Sequence, residues 1–208
     1  MTPVRIPTAY GEAELIEKRS RFIGRVFPVT TEEEALTHLT SVREQHTDAN
    51  HNVYAYIIRE TGVMRYSDAG EPQRTAGQPV LNVFLKEDVT NVLCVVTRYF
   101  GGTLLGAGGL VRTYGQTAKL ALDAAGISIV RAWQRIQLGC TYAQYERLQI
   151  IATEQGAVIE HTEFAADVTI DLLVPAPDAT MFCAHMLDVS AGTAKLEQLG
   201  AQEIPVPL

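Results

Sequence analysis

Two stretches of this chain carry residue types that could do chemistry. The first is Arg98-Tyr99-Phe100-Gly101-Gly102-Thr103-Leu104-Leu105-Gly106-Ala107-Gly108-Gly109-Leu110-Val111-Arg112-Thr113-Tyr114-Gly115. Its glycines at 101, 102, 106, 108 and 109 lie between a valine-rich run and a helix-like stretch. Such a loop leaves backbone amides uncovered and, with the helix dipole, aims them at an anion. Arg98 and Arg112 would add charge-assisted bonds to phosphate or carboxylate. Tyr99 and Tyr114 would stack on a base or a peptide group. Known phosphate signatures are absent: no lysine stands where GxxxxGK[ST] needs one, and the GxGxxG-like start at Gly106 ends in Val111. The alternative reading is that these glycines serve only close helix–strand packing and positive φ.

The other stretch is Ser67-Asp68-Ala69-Gly70-Glu71-Pro72-Gln73-Arg74-Thr75-Ala76-Gly77-Gln78-Pro79. Ser67 and Asp68 can close an Asx-type turn onto their own backbone. Pro72 and Pro79 restrict the chain, and the glycines let it bend. It reads either as a surface Ω-loop or as a rigid binding loop presenting Ser67, Asp68, Glu71 and Thr75.

Other chemistry is thin. His46 and His51 do not share a helix face and lack a third ligand nearby, so no metal site is expected. Asp68 and Glu71 have the spacing of an acid–base pair, but a salt bridge to Arg65 or Arg74, or plain solvation, explains them more simply. No GxSxG elbow occurs. Cys94, Cys140 and Cys183 are odd in number and far apart, and read as reduced, mostly buried thiols of a cytoplasmic protein. No catalytic residue, metal or cofactor is assigned. Leu104, Leu105 and Leu110 read as core.

These loops must be held by regular elements. Glu12–Lys18 and Arg21–Val29 read as strands. Thr31-x-x-Glu34 is a capping box opening a helix with Ala35, Leu36, Leu39 and Val42 inward. His46–Asn52 is loop-like. Val53–Arg59 and Val63–Tyr66 form a hairpin around Thr61-Gly62. Pro79 suits the first turn of a short helix. Val92–Thr97 is a strand buried on both faces, and a helix runs from about Leu110 to Ala125, closed by Gly126. Beyond it the order is strand (Ile136, Leu138 and Cys140 on one face), helix, two strands (Ala157–Phe164, Val168–Val174), helix, and a last strand near Lys195–Leu199. That order is βαββαβ, the ferredoxin-like unit.

The chain has 208 residues, 47% hydrophobic and 20% charged, which suits an α/β (α+β) protein of two domains and excludes disorder and collagen. No apolar run spans a bilayer, and the N-terminal stretch lacks a signal core. Residues 1–130 carry a net charge of −1 and residues 131–208 a net of −6. This asymmetry argues against a strong global attraction to nucleic acid. It places a domain boundary near Arg131–Gln134, with domains at 1–131 and 135–208.

The two stretches together resemble the signature of the IMPACT/YigZ family. EKRSRFIG at Glu17–Gly24 and HTDANHNVYAY at His46–Tyr56 resemble its two earlier motifs, in order. Two positions depart from the family pattern: glycine is usual where Arg74 stands, and a second acid where Ala69 stands. The resemblance implies an N-terminal domain like the second domain of a small-subunit ribosomal protein. It also implies a C-terminal domain similar to the fifth domain of elongation factor G. Eukaryotic relatives regulate translation through protein–protein contacts.

Three functional readings follow. The leading one is a translation-associated binding or regulatory protein contacting RNA, the ribosome or a translation factor. Another is an enzyme using the glycine loop for a phosphorylated small molecule. The third is a protein-only adaptor. A bound phosphate or sulfate, no membrane, and a monomer or dimer are expected. The two loops are expected to form one site, with Arg98 emerging at its edge, Arg112 in the first helical turn, and Arg21 and His51 completing a polar rim.

Overall fold

The fold is described from a computed structural model, over residues 4–207. By internal contacts the chain divides into Met1–Val130 with Pro205–Leu208, and Arg131–Ile204. The result is a mixed α/β protein of two units.

The first unit is built on five strands: β2 (Gly11–Glu17), β3 (Ser20–Pro28), β4 (His51–Ile58), β5 (Val63–Ser67) and β6 (Val92–Tyr99). They form one sheet in the order β2-β3-β6-β4-β5, every pairing antiparallel. A short strand β1 (Val4–Pro7) precedes them. Side chains alternate across a strand, so the central strand β6 sends Val92, Cys94 and Val96 to one core and Leu93 and Val95 to another. The first core is closed by helices α2 (Gly77–Glu87) and α3 (Ala107–Ala125), the other by α1 (Glu32–Gln45). Cover on both faces explains the unbroken valine run in an antiparallel strand.

Local chemistry sets the helix ends. Thr31 Oγ1 accepts from the Glu34 amide at 3.1 Å, as a capping threonine should. Glu34 reaches one residue further back than the box predicts and accepts from the Thr30 amide at 2.7 Å. That bond, with another from the Thr30 hydroxyl, holds the Glu34 carboxyl below the usual range. Leu36, expected inward, is exposed, because the core stripe of α1 is Ala35, Leu39 and Val42. Helix α3 starts at Ala107, a turn before the expected Leu110, so Gly108 and Gly109 are helical.

The segment expected as a joint, Arg131–Gln134, lies in the interior of strand β7 (Ile127–Cys140). The first four residues of β7 pair with β1, Val4↔Val130 through Pro7↔Ile127. Residues 133–140 pair with strand β9 (Val168–Pro175). A ladder to a strand so much earlier in the chain leaves no local signal, so the alternation is visible in the sequence only from Ile136 onward. One strand thus runs through both units.

The second unit continues with α4 (Tyr142–Glu154), β8 (Val158–Phe164), β9, α5 (Ala179–Val189) and β10 (Lys195–Pro207). The order from β7 is βαββαβ. Strand β9 pairs antiparallel with both β7 and β8, and β10 pairs with β7. Ile136, Leu138, Ile170 and Leu172 pack against Leu148, Phe182 and Met186 of the helices. Strand β10 extends well past the expected Leu199. No helix among the described residues is long and apolar enough to cross a membrane.

Candidate functional site

The loop Ser67–Ala76 and the loop after β6 border one groove of about 420 Å³ in the first unit. It is lined by His51, Glu71, Pro72, Arg98, Phe100 and Leu104, and ends at the start of α3.

Strand register decides which side chains arrive there. Phe22, Arg98 and His51 lie across β3, β6 and β4 as register partners, so they share the face that α2 and α3 cover. Arg98 is therefore buried, 5% exposed, rather than emerging at the loop's edge. A buried guanidinium needs an acid, and Arg98 Nη1 donates to Glu71 Oε1 at 2.6 Å. Arg65 and Arg74, the expected partners of the acids in this loop, are not used: Arg65 pairs with Glu32. Tyr114, fully buried in α3, donates its hydroxyl to the same Glu71 oxygen at 2.7 Å. Burial first, then the Glu71 charge, push the Tyr114 phenol far up, so it stays a donor. The Arg98 guanidinium carbon lies 5.3 Å from the Phe22 ring centre and 5.5 Å from that of Phe100.

His51 Nδ1 lies 2.9 Å from the Ala69 carbonyl oxygen. A carbonyl only accepts, so Nδ1 carries a hydrogen. His51 Nε2 stands 3.8 Å from Glu71 Oε1.

Ser67, Asp68 and Thr75 in this loop are turned onto backbone. Ser67 Oγ accepts from the Ala69 amide at 3.1 Å. Asp68 Oδ2 accepts from the Arg74 amide at 2.8 Å, and Oδ1 from the amides of Ala76 and Gly77 at 3.1 and 2.8 Å. Ala76 is the N-cap of α2 and has no capping side chain of its own; Asp68 supplies that function from eight residues away. Thr75 is buried and donates its hydroxyl to the Pro72 carbonyl at 2.6 Å. Arg74 has φ +62° and Ala69 φ +47°. Left-handed backbone favours glycine, and tolerates Asp better than Ala. The two departures from the family pattern thus fall where backbone conformation, rather than chemistry, sets the preference.

Two side chains hold the start of the glycine loop. Phe100 N donates to Asn50 Oδ1 at 2.8 Å, and Gly101 N to Ser20 Oγ at 3.2 Å. A Cβ on Gly101 would sit 2.0 Å from the Arg19 carbonyl, which makes glycine obligatory there. Gly106 caps α3 at φ +74° without any side chain. The amides of Ala107, Gly108 and Gly109 precede the first helical bond, Leu110 N to Gly106 O, and so lack a helical partner. Leu104, read as core, is 81% exposed; Leu105 and Leu110 are buried.

The structure thus brings His51, Glu71, Arg98 and Gly106 to the groove, with Ser67, Asp68, Thr75 and Tyr114 as its support. It does not bring the rest. Arg21 and Tyr99 are register partners on the opposite face of the sheet, where Arg21 pairs with Glu14 at 2.8 Å and Tyr99 OH meets His46 Nδ1 at 2.7 Å. That face also separates His46 from His51. Arg112 is exposed and lies past the first turn of α3, and Gly102 lies on the exposed bend. Among the described residues no group of three metal-ligating side chains occurs. Sequence reasoning missed Ser20, Asn50, Phe100 and Leu104. For Ser20 the signal lies in the strand register alone, which lets it bond both Arg98 Nη2 and Gly101 N.

Comparison with known proteins agrees with the four motifs. The Impact N-terminal domain matches residues 18–122, and a domain of unknown function, DUF1949, matches residues 138–193. The chain is 31% identical to IMPACT family member YvyE of Bacillus subtilis, covering 90% of this chain and 87% of that one. It is 32% identical to IMPACT family member YigZ of Escherichia coli, covering 86% and 89%. A crystal structure titled only as that of a hypothetical protein superposes with a TM-score of 0.60 at 30% identity, covering 96% of this chain and 98% of that one. With a family match over half the chain and such relatives over most of it, this protein belongs to the IMPACT family.

Proposed function

We propose that this protein is a translation-associated binding and regulatory protein, and that it engages its partner, the ribosome or a translation factor, through the groove of the first unit. Family membership supports the link to translation, because the resemblance implies relatives that regulate it by protein contacts. The observation that carries the contact site is the groove itself: an exposed Leu104 and Phe100 stand over a floor whose charges, Arg98 and Glu71, already neutralise each other. An exposed apolar wall beside a compensated floor is the chemistry of a contact surface. A phosphorylated small molecule is less well served, since its phosphate would have to take Arg98 from Glu71 at 2.6 Å.

The test is sedimentation of the tagged protein from gently lysed cells. The wild type should travel with ribosomal particles or a large translation-factor complex, and the Leu104→Asp variant should stay near the top of the gradient. A wild type that sediments as the free protein under all growth conditions overturns the reading.

A further inference from the structure

We propose that the groove takes an uncharged segment of another protein, presenting a bulky apolar side chain flanked by peptide groups. This rests on the functional reading above and specifies what the groove recognises.

The argument is one of complementary polarity. Arg98, Tyr114 and His51 all address the same Glu71 oxygen, Oε1. No described residue hydrogen-bonds Oε2, so it remains an acceptor. On the donor side, Arg98 Nε is buried and has no partner, in a residue 5% exposed that lines the groove. The amide of Ala107, which lines the groove, stands at its other end without a side-chain cap. A ligand here must therefore both donate and accept. A peptide group does both. A phosphate at neutral pH offers acceptors almost alone and would confront the Glu71 carboxylate.

Charge and shape point the same way. Arg98 and Glu71 sum to zero, which gives no reward for a charged ligand. Phe100, Leu104, Leu105, Leu110 and Pro72 make the walls. Leu104, 81% exposed, offers an apolar surface that a partner's side chain would cover. A volume of about 420 Å³ is enough for one large side chain with its flanking peptide groups.

The experiment pans random dodecapeptides on phage against the full-length protein, with counter-selection on Leu104→Asp. Because Leu104 is so exposed, that variant should melt with the wild type, which a thermal scan checks. The expected result is a set of peptides sharing a Leu, Met, Phe or Trp and no net charge. Made synthetically, they should bind by fluorescence anisotropy with little salt dependence, lose about tenfold or more in Leu104→Asp, and resist displacement by inorganic phosphate or a short single-stranded RNA. The proposal is overturned if no peptide is enriched, if the enriched set is acidic and salt-sensitive, if phosphate or RNA displaces it, or if Leu104→Asp binds as well as wild type. Self-association abolished by Leu104→Asp would assign the groove to another copy of this chain and also overturn it. A protein that sediments with ribosomes yet selects no peptide loses this inference and keeps the functional reading.

Discussion

Between Ser67 and Gly77, Ser67, Asp68 and Thr75 direct their side chains onto the backbone of their own segment, and Glu71 is fixed by Arg98 and Tyr114. Between Gly102 and Leu105, on the other side of the same groove, no described residue supplies a hydrogen bond, and Leu104 points into solvent. The Ser67–Gly77 loop is rich in polar and charged residues, the usual marks of function, yet Ser67, Asp68, Glu71 and Thr75 are occupied in holding it. The Gly102–Leu105 loop has the composition of a spacer, yet its unoccupied amides and apolar side chain are what a partner would meet. A polar residue with all its bonds made inside the fold has little left to offer a ligand.

Breaking the comparison at its strongest point means removing the buried pair. Arg98→Ala leaves Glu71 buried and uncompensated, and should cost about 3–5 kcal/mol, read as a large fall in denaturation midpoint. Glu71→Ala should cost a similar amount, and the double variant clearly less than the two together, because the partners are coupled. Losses that simply add would mean the pair does not hold the loop. Next in size is Asp68→Ala, which frees three backbone amides and the start of α2. It should cost about 2 kcal/mol, with the helical signal reduced.

Sharpening the comparison needs changes with the opposite sign or with none. Arg74→Gly relieves a left-handed residue and should raise stability by about 1 kcal/mol. A fall in the thermal midpoint would mean that the Arg74 side chain has a role the geometry does not reveal. Arg112→Ala should leave stability within about 0.5 kcal/mol and leave partner binding as it was, since its side chain lies outside the groove. A loss of binding there would extend the contact surface along α3.

The elements that a period reveals were legible in the sequence. The valine run of β6, the strands β2 and β3, the β4–β5 hairpin and the βαββαβ order all rest on local patterns, and all are present. The capping threonine of α1 is also local. What was not legible depends on register. Whether Arg98 points outward or into the core follows from its pairing with Phe22 and His51, and its acid comes from a loop 27 residues earlier. Arg21 and Tyr99 sit one residue away from that row and therefore face the other way; a one-residue step on a strand reverses the face. Leu104 gave no signal because an apolar residue in a loop reads as core until the path of the loop is known. The start of β7, before Arg131, was hidden for the same reason as the burial of Arg98: β1, which pairs with it, lies far away in the chain.

The capping of α2 by Asp68 has a consequence on the clock of solvent exchange. The amides of Arg74, Ala76 and Gly77 are bound to that carboxylate, and those of Glu71 and Thr75 to the carbonyls of Asp68 and Pro72. In deuterated water these loop amides should take up label slowly, at the pace of a cooperative opening of the core. The amides of Gly102 to Leu105, and of Ala107 to Gly109 inside the first turn of α3, should fill at once. Labelling would therefore run against the secondary structure: an irregular segment keeps its protium, while the opening of the longest helix gives it up.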